Sequence, residues 1–312
     1  MQAGNSRAAS PLTPAFSKKV FLGGLPPDID ESQLSSCFAV FGKHRVDWPH
    51  KNDSIYQFPP QGYAFVIFDK TSSVVSLLSA CAYADQKFII TVSSLSIKNK
   101  QVQVRPWQLS DCFYIHSPSP PLDHRLTIFV GGVPRPTTSK QLASLLDVNF
   151  GCVLQVTIDV DSSLLYPRGS ARVRFAYRHS YIAAVEKRFL RFSNSSHQKH
   201  MEIKPFVVDD ANCDVCGDSE SKFCGAIKCL SYFCASCWTL THAKLAHEPL
   251  VVETKRRKSR RPARTQSSPT TSSSLESSTT ENQSDNQSWT SHNFSDRNLI
   301  SSFADLELQT VF

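Results

Sequence analysis

The chain has 312 residues, 40% of them hydrophobic, which is enough for two domains and a small third, each with its own core. It contains no apolar run of about eighteen residues and Met1 is followed by a polar stretch, so neither a helical membrane span nor a secretory signal is expected. The formal charge of +7 is unevenly spread: residues 18–109 carry ten Lys/Arg against seven Asp/Glu, residues 125–208 carry twelve against five, and residues 255–264 add seven cations and no anion. Two mildly basic domains and a basic strip point to a polyanionic partner.

Two segments align without a gap, VFLGGLPPDIDESQL (Val20 to Leu34) and IFVGGVPRPTTSKQL (Ile128 to Leu142). Each predicts a short apolar strand, a Gly-Gly turn, a Pro-containing loop and a capped helix, with Leu34, Phe38 and Phe41 on one helical face and Leu142, Leu145 and Leu146 on the other copy's. Strands around Val46 and Val156 follow, then QGYAFVIF (Gln61 to Phe68) and RGSARVRF (Arg168 to Phe175), a second helix (Ser72 to Ala82; His179 to Phe189) and a last strand (Val102 to Arg105; Met201 to Lys204). The order is βαββαβ, the ferredoxin-like α+β arrangement of a four-stranded antiparallel sheet backed by two helices. Predicted boundaries are an N-terminal disordered stretch over 1–17, domains over 18–109 and 125–208, and a short Pro/Ser-containing linker over 110–124 that keeps the two close enough to act on one ligand. A Cys/His segment covers 209–254. The Ser/Thr-rich remainder, 255–312, is predicted to be disordered, with helical spacing of Leu299, Ile300, Phe303 and Leu306 near its end.

In the first copy, VFLGGL and QGYAFVIF fit the two strand signatures of an RNA recognition motif (RRM), with Gln61 in place of the leading Lys or Arg. Strand alternation puts Phe21, Tyr63 and Phe65 on the open face of the sheet, where exposed rings invite stacked bases of a single-stranded RNA. The second copy keeps Phe129 but replaces the other rings by Ser170 and Arg172. Arg168, Arg172 and Arg174 alternate along that strand and are expected to share a face. A guanidinium is flat, stacks on a base and reaches phosphate, so this face is read as a substituted RNA surface.

Six of the ten cysteines fall between Cys213 and Cys237, which points to metal in a reducing compartment. Cys213/Cys216, Cys224/Cys229, Cys234/Cys237 and His242/His247 make four ligand pairs, enough for two closed, structural zinc sites. A cross-braced pairing would group Cys213, Cys216, Cys234 and Cys237 on one ion and Cys224, Cys229, His242 and His247 on the other; a pairing in chain order is the alternative. No residues are arranged as a nucleophile–base set or as a phosphate-cradling glycine loop, so no enzymatic activity and no small-molecule substrate are expected.

VFLGGLPPDIDE, VDWPHK, PPQGYAF, VQVRPW, PLDHRLTIFVGGVPRP, YPRGSARV and the Cys/His series together resemble the cytoplasmic polyadenylation element-binding (CPEB) family, in its broader metazoan branch. The resemblance implies two tandem RRMs followed by a ZZ-type binuclear zinc domain. It implies a protein of the cytoplasm, with nuclear shuttling through KRRKSRR (Lys255 to Arg261) a further expectation, that binds U-rich elements in messenger 3′ untranslated regions and regulates translation and cytoplasmic polyadenylation. Phe21, Tyr63 and Phe65 would stack bases, Trp48 and Arg105 would line the edges of the first face, and Phe129 and Arg172 would lie on the second. Translation or polyadenylation factors would be its protein partners, through the ZZ domain. The family's long N-terminal regulatory region has no counterpart in the eighteen residues before Lys19, the ZZ loops are short, and a Ser/Thr-rich tail follows where members usually stop. Two alternatives compete: a nuclear RNA-processing factor, and a RING-like ubiquitin ligase with RNA-binding domains, which the terminal pair of histidines disfavours.

Overall fold

A computed structural model describes residues 15–48, 62–116, 124–193 and 198–250. The basic strip, the Ser/Thr-rich tail with its Leu299–Leu306 spacing, and Gln61 lie outside the described residues. Within the first repeat the elements run β1 (Lys19–Gly23), α1 (Glu31–Phe38), β2 (His44–Asp47), β3 (Tyr63–Phe68), α2 (Thr71–Ala80), β4 (Ala82–Ala84), β5 (Lys87–Val92) and β6 (Lys100–Arg105). Side chains alternate across β1, so Val20 and Leu22 go into the core while Phe21, apolar like them, faces away from it. α1 starts at a capping box in which Asp30 accepts from the Gln33 N–H and the Gln33 side chain returns to the Asp30 N–H.

The second repeat builds β8 (Thr127–Gly131), α3 (Ser139–Phe150), β9 (Val153–Val160), β10 (Pro167–Phe175), α4 (Arg178–Lys187), β11 (Phe189–Ser193) and β12 (Gln198–Pro205). Its first helix has the same capping box, made by Thr138 and Gln141. One backbone device recurs in both copies. Gly62 and Gly169 sit at φ of +69° and +88°, and their carbonyls accept from the N–H groups of Leu25 and Val133, closing the loop after the Gly-Gly turn against the third strand. At Gly169 a Cβ would come within 3.2 Å of the Val133 carbonyl oxygen, so a side chain here would crowd that carbonyl and strain the backbone.

Each sheet has six strands, not the expected four, in the orders β2-β3-β1-β6-β5-β4 and β11-β12-β8-β10-β9-β7. The four-stranded RRM core is present in each, and short strands are added at its margins: the β4–β5 hairpin beside β6, β11 beside β12, and β7 (Phe113–Ile115) beside β9. The last of these comes from the stretch read as linker. Its residues are fixed by pairing to β9, which no local sequence pattern announces.

The core of the second sheet does not end with its repeat. Ile128, Val130, Leu142, Leu146, Val156 and Val173 pack in one cluster with Trp107 from the flank of the first repeat and with Ala211, Phe223, Leu230 and Tyr232 from the Cys/His segment. That segment folds as β13 (Lys222–Cys224), β14 (Ser231–Phe233) and α5 (Ala235–His242). It is held to the second repeat by Arg178 donating to the Cys229 carbonyl at 2.7 Å, by Arg125 paired with Asp214, and by the Tyr232 hydroxyl accepting from the Val208 N–H at 3.1 Å. Leu146, fully buried on α3, is therefore in the middle of a core that serves two modules. Leu146→Ala is expected to lower stability to urea by about 2–5 kcal/mol. Val148→Ala on the same helix, at a side chain 86% exposed, should stay within about 0.5 kcal/mol of wild type.

Candidate nucleic-acid interface and metal centre

The open face of the first sheet is built by parity. On β3, Ala64, Val66 and Phe68 enter the core, and Tyr63, Phe65 and Ile67 point the other way. Register sets Phe21 opposite both Phe65 and Arg105. The three rings form one patch: Phe21 stacks on Tyr63 at 5.7 Å and 28°, and Phe65 meets them edge-on at 5.6 and 6.0 Å. The Arg105 guanidinium lies 5.3 Å from the Phe21 centroid and donates to Gln103 at 3.1 Å. Burial pulls its pKa below the usual arginine value, and the nearby Tyr166 works in the opposite direction.

One expectation about this face is corrected. Trp48 does not line its edge; it is 6% exposed and packs in the first core on the same side as Val46, because it continues the inward parity of β2. Tyr63 is on the face but only 3% exposed, whereas Phe21 and Phe65 are half-buried. Phe65 is also partly covered. Lys19 Nζ is 4.1 Å from its centroid and ion-paired to Asp47, and Tyr166, from the β9–β10 loop of the other repeat, meets it edge-on at 5.9 Å. Burial pushes the Tyr166 phenol up to about 12 against the opposing pull of Arg135 and Arg105, so the ring stays neutral. The Ser17 hydroxyl donates to the Leu164 carbonyl at 2.7 Å, a second contact between the same loop and the first repeat. Lys19 and Tyr166 had no signal in the strand signatures.

On the second sheet, register makes two rows across the open face. Phe113, Thr157, Arg172, Phe129 and Lys204 form one, and Ile115, Gln155, Arg174 and Thr127 form the next. Arg172 Nε donates to Asp159 at 3.2 Å and its guanidinium lies 5.8 Å from the Phe206 ring. The three arginines are not one evenly spaced cationic row. Arg168 is set apart by the register shift between Pro167 and Ala171 and pairs with Asp161 at 3.6 Å, and Arg174 is only 6% exposed, at the floor of a cavity. The Ser163 hydroxyl and the N–H groups of Leu164 and Ser163 hold Asp161 down at about 2, so it stays ionised beside Arg168. Phe113, 50% exposed, and Phe206 are rings on this face that the signatures missed. They lie outside the two signature strands, one in the linker and one after the last strand, and they supply aromatic surface where β10 has lost it.

The Cys/His residues fall into two sets of four, Cys213, Cys216, Cys234 and Cys237, and Cys224, Cys229, His242 and His247, each with all ligand atoms within 4.8 Å of one another. A tetrahedral zinc with ordinary bond lengths requires about 3.8 Å between thiolates and about 3.5 Å between a thiolate and an imidazole nitrogen. Cys216 and Cys234 Sγ are 3.6 Å apart, and Cys229 Sγ is 3.5 Å from both His242 Nε2 and His247 Nδ1. His242 Nδ1 lies 3.2 Å from the Trp238 carbonyl, so its proton sits there and the Nε2 lone pair is turned to the set. Without an ion the four thiols of the first set compete. Against burial, the N–H groups of Cys234, Cys216 and Val215 hold Cys213 at about 6, while the neighbouring Cys216 pushes Cys237 up to about 12. One negative charge therefore settles on Cys213 and the others stay protonated until a cation joins them. The donors fit a thiophilic divalent ion of zinc's size, and the grouping is the cross-braced one.

Residues 17–106 match the RNA recognition motif family and residues 199–253 match the cytoplasmic polyadenylation element-binding protein ZZ domain. The chain is 45% identical over 250 residues to Translational regulator orb2 of Drosophila melanogaster, covering 77% of this chain and 36% of that protein. It is 40% identical over 263 residues to Cytoplasmic polyadenylation element-binding protein 1 of Caenorhabditis remanei, covering 76% and 44%. The chain thus spans less than half the length of these relatives. The aromatic sheet face, the ZZ match over the Cys/His sets and identity of this level across three quarters of the chain place it in the cytoplasmic polyadenylation element-binding protein family.

Proposed function

We propose that the chain binds single-stranded, U-rich elements of messenger 3′ untranslated regions across its two open sheet faces and thereby regulates translation and cytoplasmic polyadenylation. The observation that carries this reading is the patch of Phe21, Tyr63 and Phe65 bordered by Arg105, a stacking surface with a cation at its edge. The second face continues it with Phe113, Phe129, Arg172 and Lys204 in one row. The names of its relatives, a translational regulator and a polyadenylation element-binding protein, fit the same role.

Each Cys/His set holds one zinc ion with four protein ligands and no position left for water, so both ions are structural. The ZZ module leaves Val215 and Leu240 exposed and recruits translation or polyadenylation factors. The protein acts in the cytoplasm, and the basic strip from Lys255 supports shuttling through the nucleus. Nothing in this role requires a chemical step. The test is binding of the full chain to a uridine-rich oligomer and to a scrambled oligomer of equal length at fixed salt. The uridine-rich strand should bind at least about tenfold tighter, on the order of 1.4 kcal/mol. Equal affinities would refute the sequence preference.

A further inference from the structure

The two Cys/His sets differ in charge and in access. Four thiolates around a divalent ion leave about two negative charges on the first set, Cys213, Cys216, Cys234 and Cys237, whereas two thiolates and two neutral imidazoles leave none on the second. Electron-rich sulfur is the better nucleophile toward an oxidant, provided the oxidant reaches it. The first set offers that access at one atom: Cys213 and Cys234 are buried, but Cys216 is exposed. Beside it, Gly217 has no atom within 4 Å of the place where a side chain would begin, so the approach is open. The second set has no exposed member, with Cys224 buried and Cys229 half-buried. Cys216 also has a partner at hand. Its Sγ is 3.6 Å from Cys234 Sγ, and a movement of about 1.5 Å brings the two to a disulfide bond length of about 2.05 Å.

The turn that carries Cys216 grips the core of the second repeat. Asp214, between Cys213 and Cys216, accepts from the Tyr232 N–H at 2.7 Å and donates its own N–H to the Tyr232 carbonyl at 2.9 Å. The same carboxylate pairs with Arg125, just before β8. Tyr232 is 1% exposed and meets Phe223 edge-on at 4.9 Å inside the shared core. We propose that the first Cys/His set is a peroxide-sensitive switch, in which oxidation of Cys216 to a disulfide with Cys234 releases one metal ion and loosens the second repeat. The proposal rests on the reading above that each set holds zinc. The Cys216 thiolate attacks one oxygen of hydrogen peroxide, the O–O bond breaks and hydroxide leaves, giving a sulfenic acid. The Cys234 thiolate then attacks that sulfur and displaces a second hydroxide. The two sulfurs lose two electrons, the peroxide gains them, and both hydroxides take protons from the buffer. Cys213 and Cys237 alone do not retain the ion. Drawing Cys216 onto Cys234 displaces the Asp214 turn, which frees Tyr232 and Arg125, while the second set keeps its ion.

The test treats the full, zinc-loaded chain with a small molar excess of hydrogen peroxide. Zinc is captured by a colorimetric chelator, cysteine pairs are mapped by peptide mass spectrometry, and the second repeat is melted. One of the two zinc ions should be released, a Cys216–Cys234 disulfide should form, and the melting temperature of the second repeat should fall by several degrees. Dithiothreitol with added zinc should reverse all three. Cys216→His, which keeps a ligand nitrogen but has no sulfur to oxidise, should hold both ions under the same treatment. Cys152, exposed and outside both sets, measures oxidant exposure in the same map. The switch is refuted if Cys152 is oxidised while both ions stay, if both ions leave together, or if one leaves with Cys216 unmodified. The wild-type map decides this even where Cys216→His fails to bind zinc. Fewer than two zinc ions before peroxide would instead refute the two-zinc reading.

Discussion

Phe65→Ala is expected to weaken binding of a uridine-rich single strand by about 5- to 150-fold, the loss of one stacked base at about 1–3 kcal/mol. Phe65 is the right position because it is the hub of the first face: it touches Phe21 and Tyr63 on its own sheet, and Lys19 and Tyr166 at its margin. It is half-buried, so its ring is partly available to a base, and it stands on the side of β3 opposite the core. Tyr63→Ala is a poorer probe, since truncating a ring that is 3% exposed should also cost about 3–5 kcal/mol of stability. Ser170→Ala is the comparison at the equivalent strand of the second repeat, where the hydroxyl only donates to Asp159 at 2.8 Å, and it should change affinity by less than about threefold. Titration by fluorescence anisotropy, with a urea melt of each variant to separate folding from binding, decides the matter. Similar losses from Phe65→Ala and Ser170→Ala would contradict the stacking assignment.

What could be read from the sequence was what local rules determine. Strand alternation put Phe21, Phe65 and Phe129 on the open faces, the Asp30 and Thr138 caps marked where helices begin, and the spacing of the four Cys/His pairs carried the cross-braced grouping as one of two options. What could not be read was how far neighbours cover a correctly assigned face. Parity gives Tyr63 and Arg174 the right side of their strands but says nothing of the residues that bury them. Trp48 lies just past a four-residue strand, where family likeness suggested an edge and continued parity sends it inward. The short strands β4 and β7, of three residues each, exist because an edge was available to pair with, and such pairing is decided by tertiary structure. Tyr232 and Phe223 lie between metal ligands in the chain, and they extend the core of the second sheet.

That shared core makes metal removal the perturbation with the widest reach. The Cys/His segment has little apolar interior of its own: its separate cluster is Cys213, Cys224, Phe233, Cys234 and Cys237, four of which are ligands. A segment of this size needs its metals, and structural zinc supplies about 10–16 kcal/mol in small finger domains. Stripping zinc with a strong chelator should therefore unfold β13, β14 and α5. Phe223, Leu230 and Tyr232 then leave the second core and Tyr181, 1% exposed in the folded chain, loses its cover. At about 1.5–3 kcal/mol for each large apolar side chain withdrawn, the second repeat should lose several kcal/mol, a fall in its thermal midpoint on the order of 10 °C or more. The first repeat, with a core of its own, should melt as before. Trp238 lies in the metal module, Trp107 in the shared core and Trp48 in the first core, so fluorescence melts of variants that each keep one of the four tryptophans can follow the modules separately. Cys224→Ser should reproduce the chelator's effect on the second repeat. Zinc released per chain, read with a colorimetric chelator, should be two; a value of one would refute the paired sites, and an unchanged melt of the second repeat would show that the ZZ module is docked on it and does not complete its core.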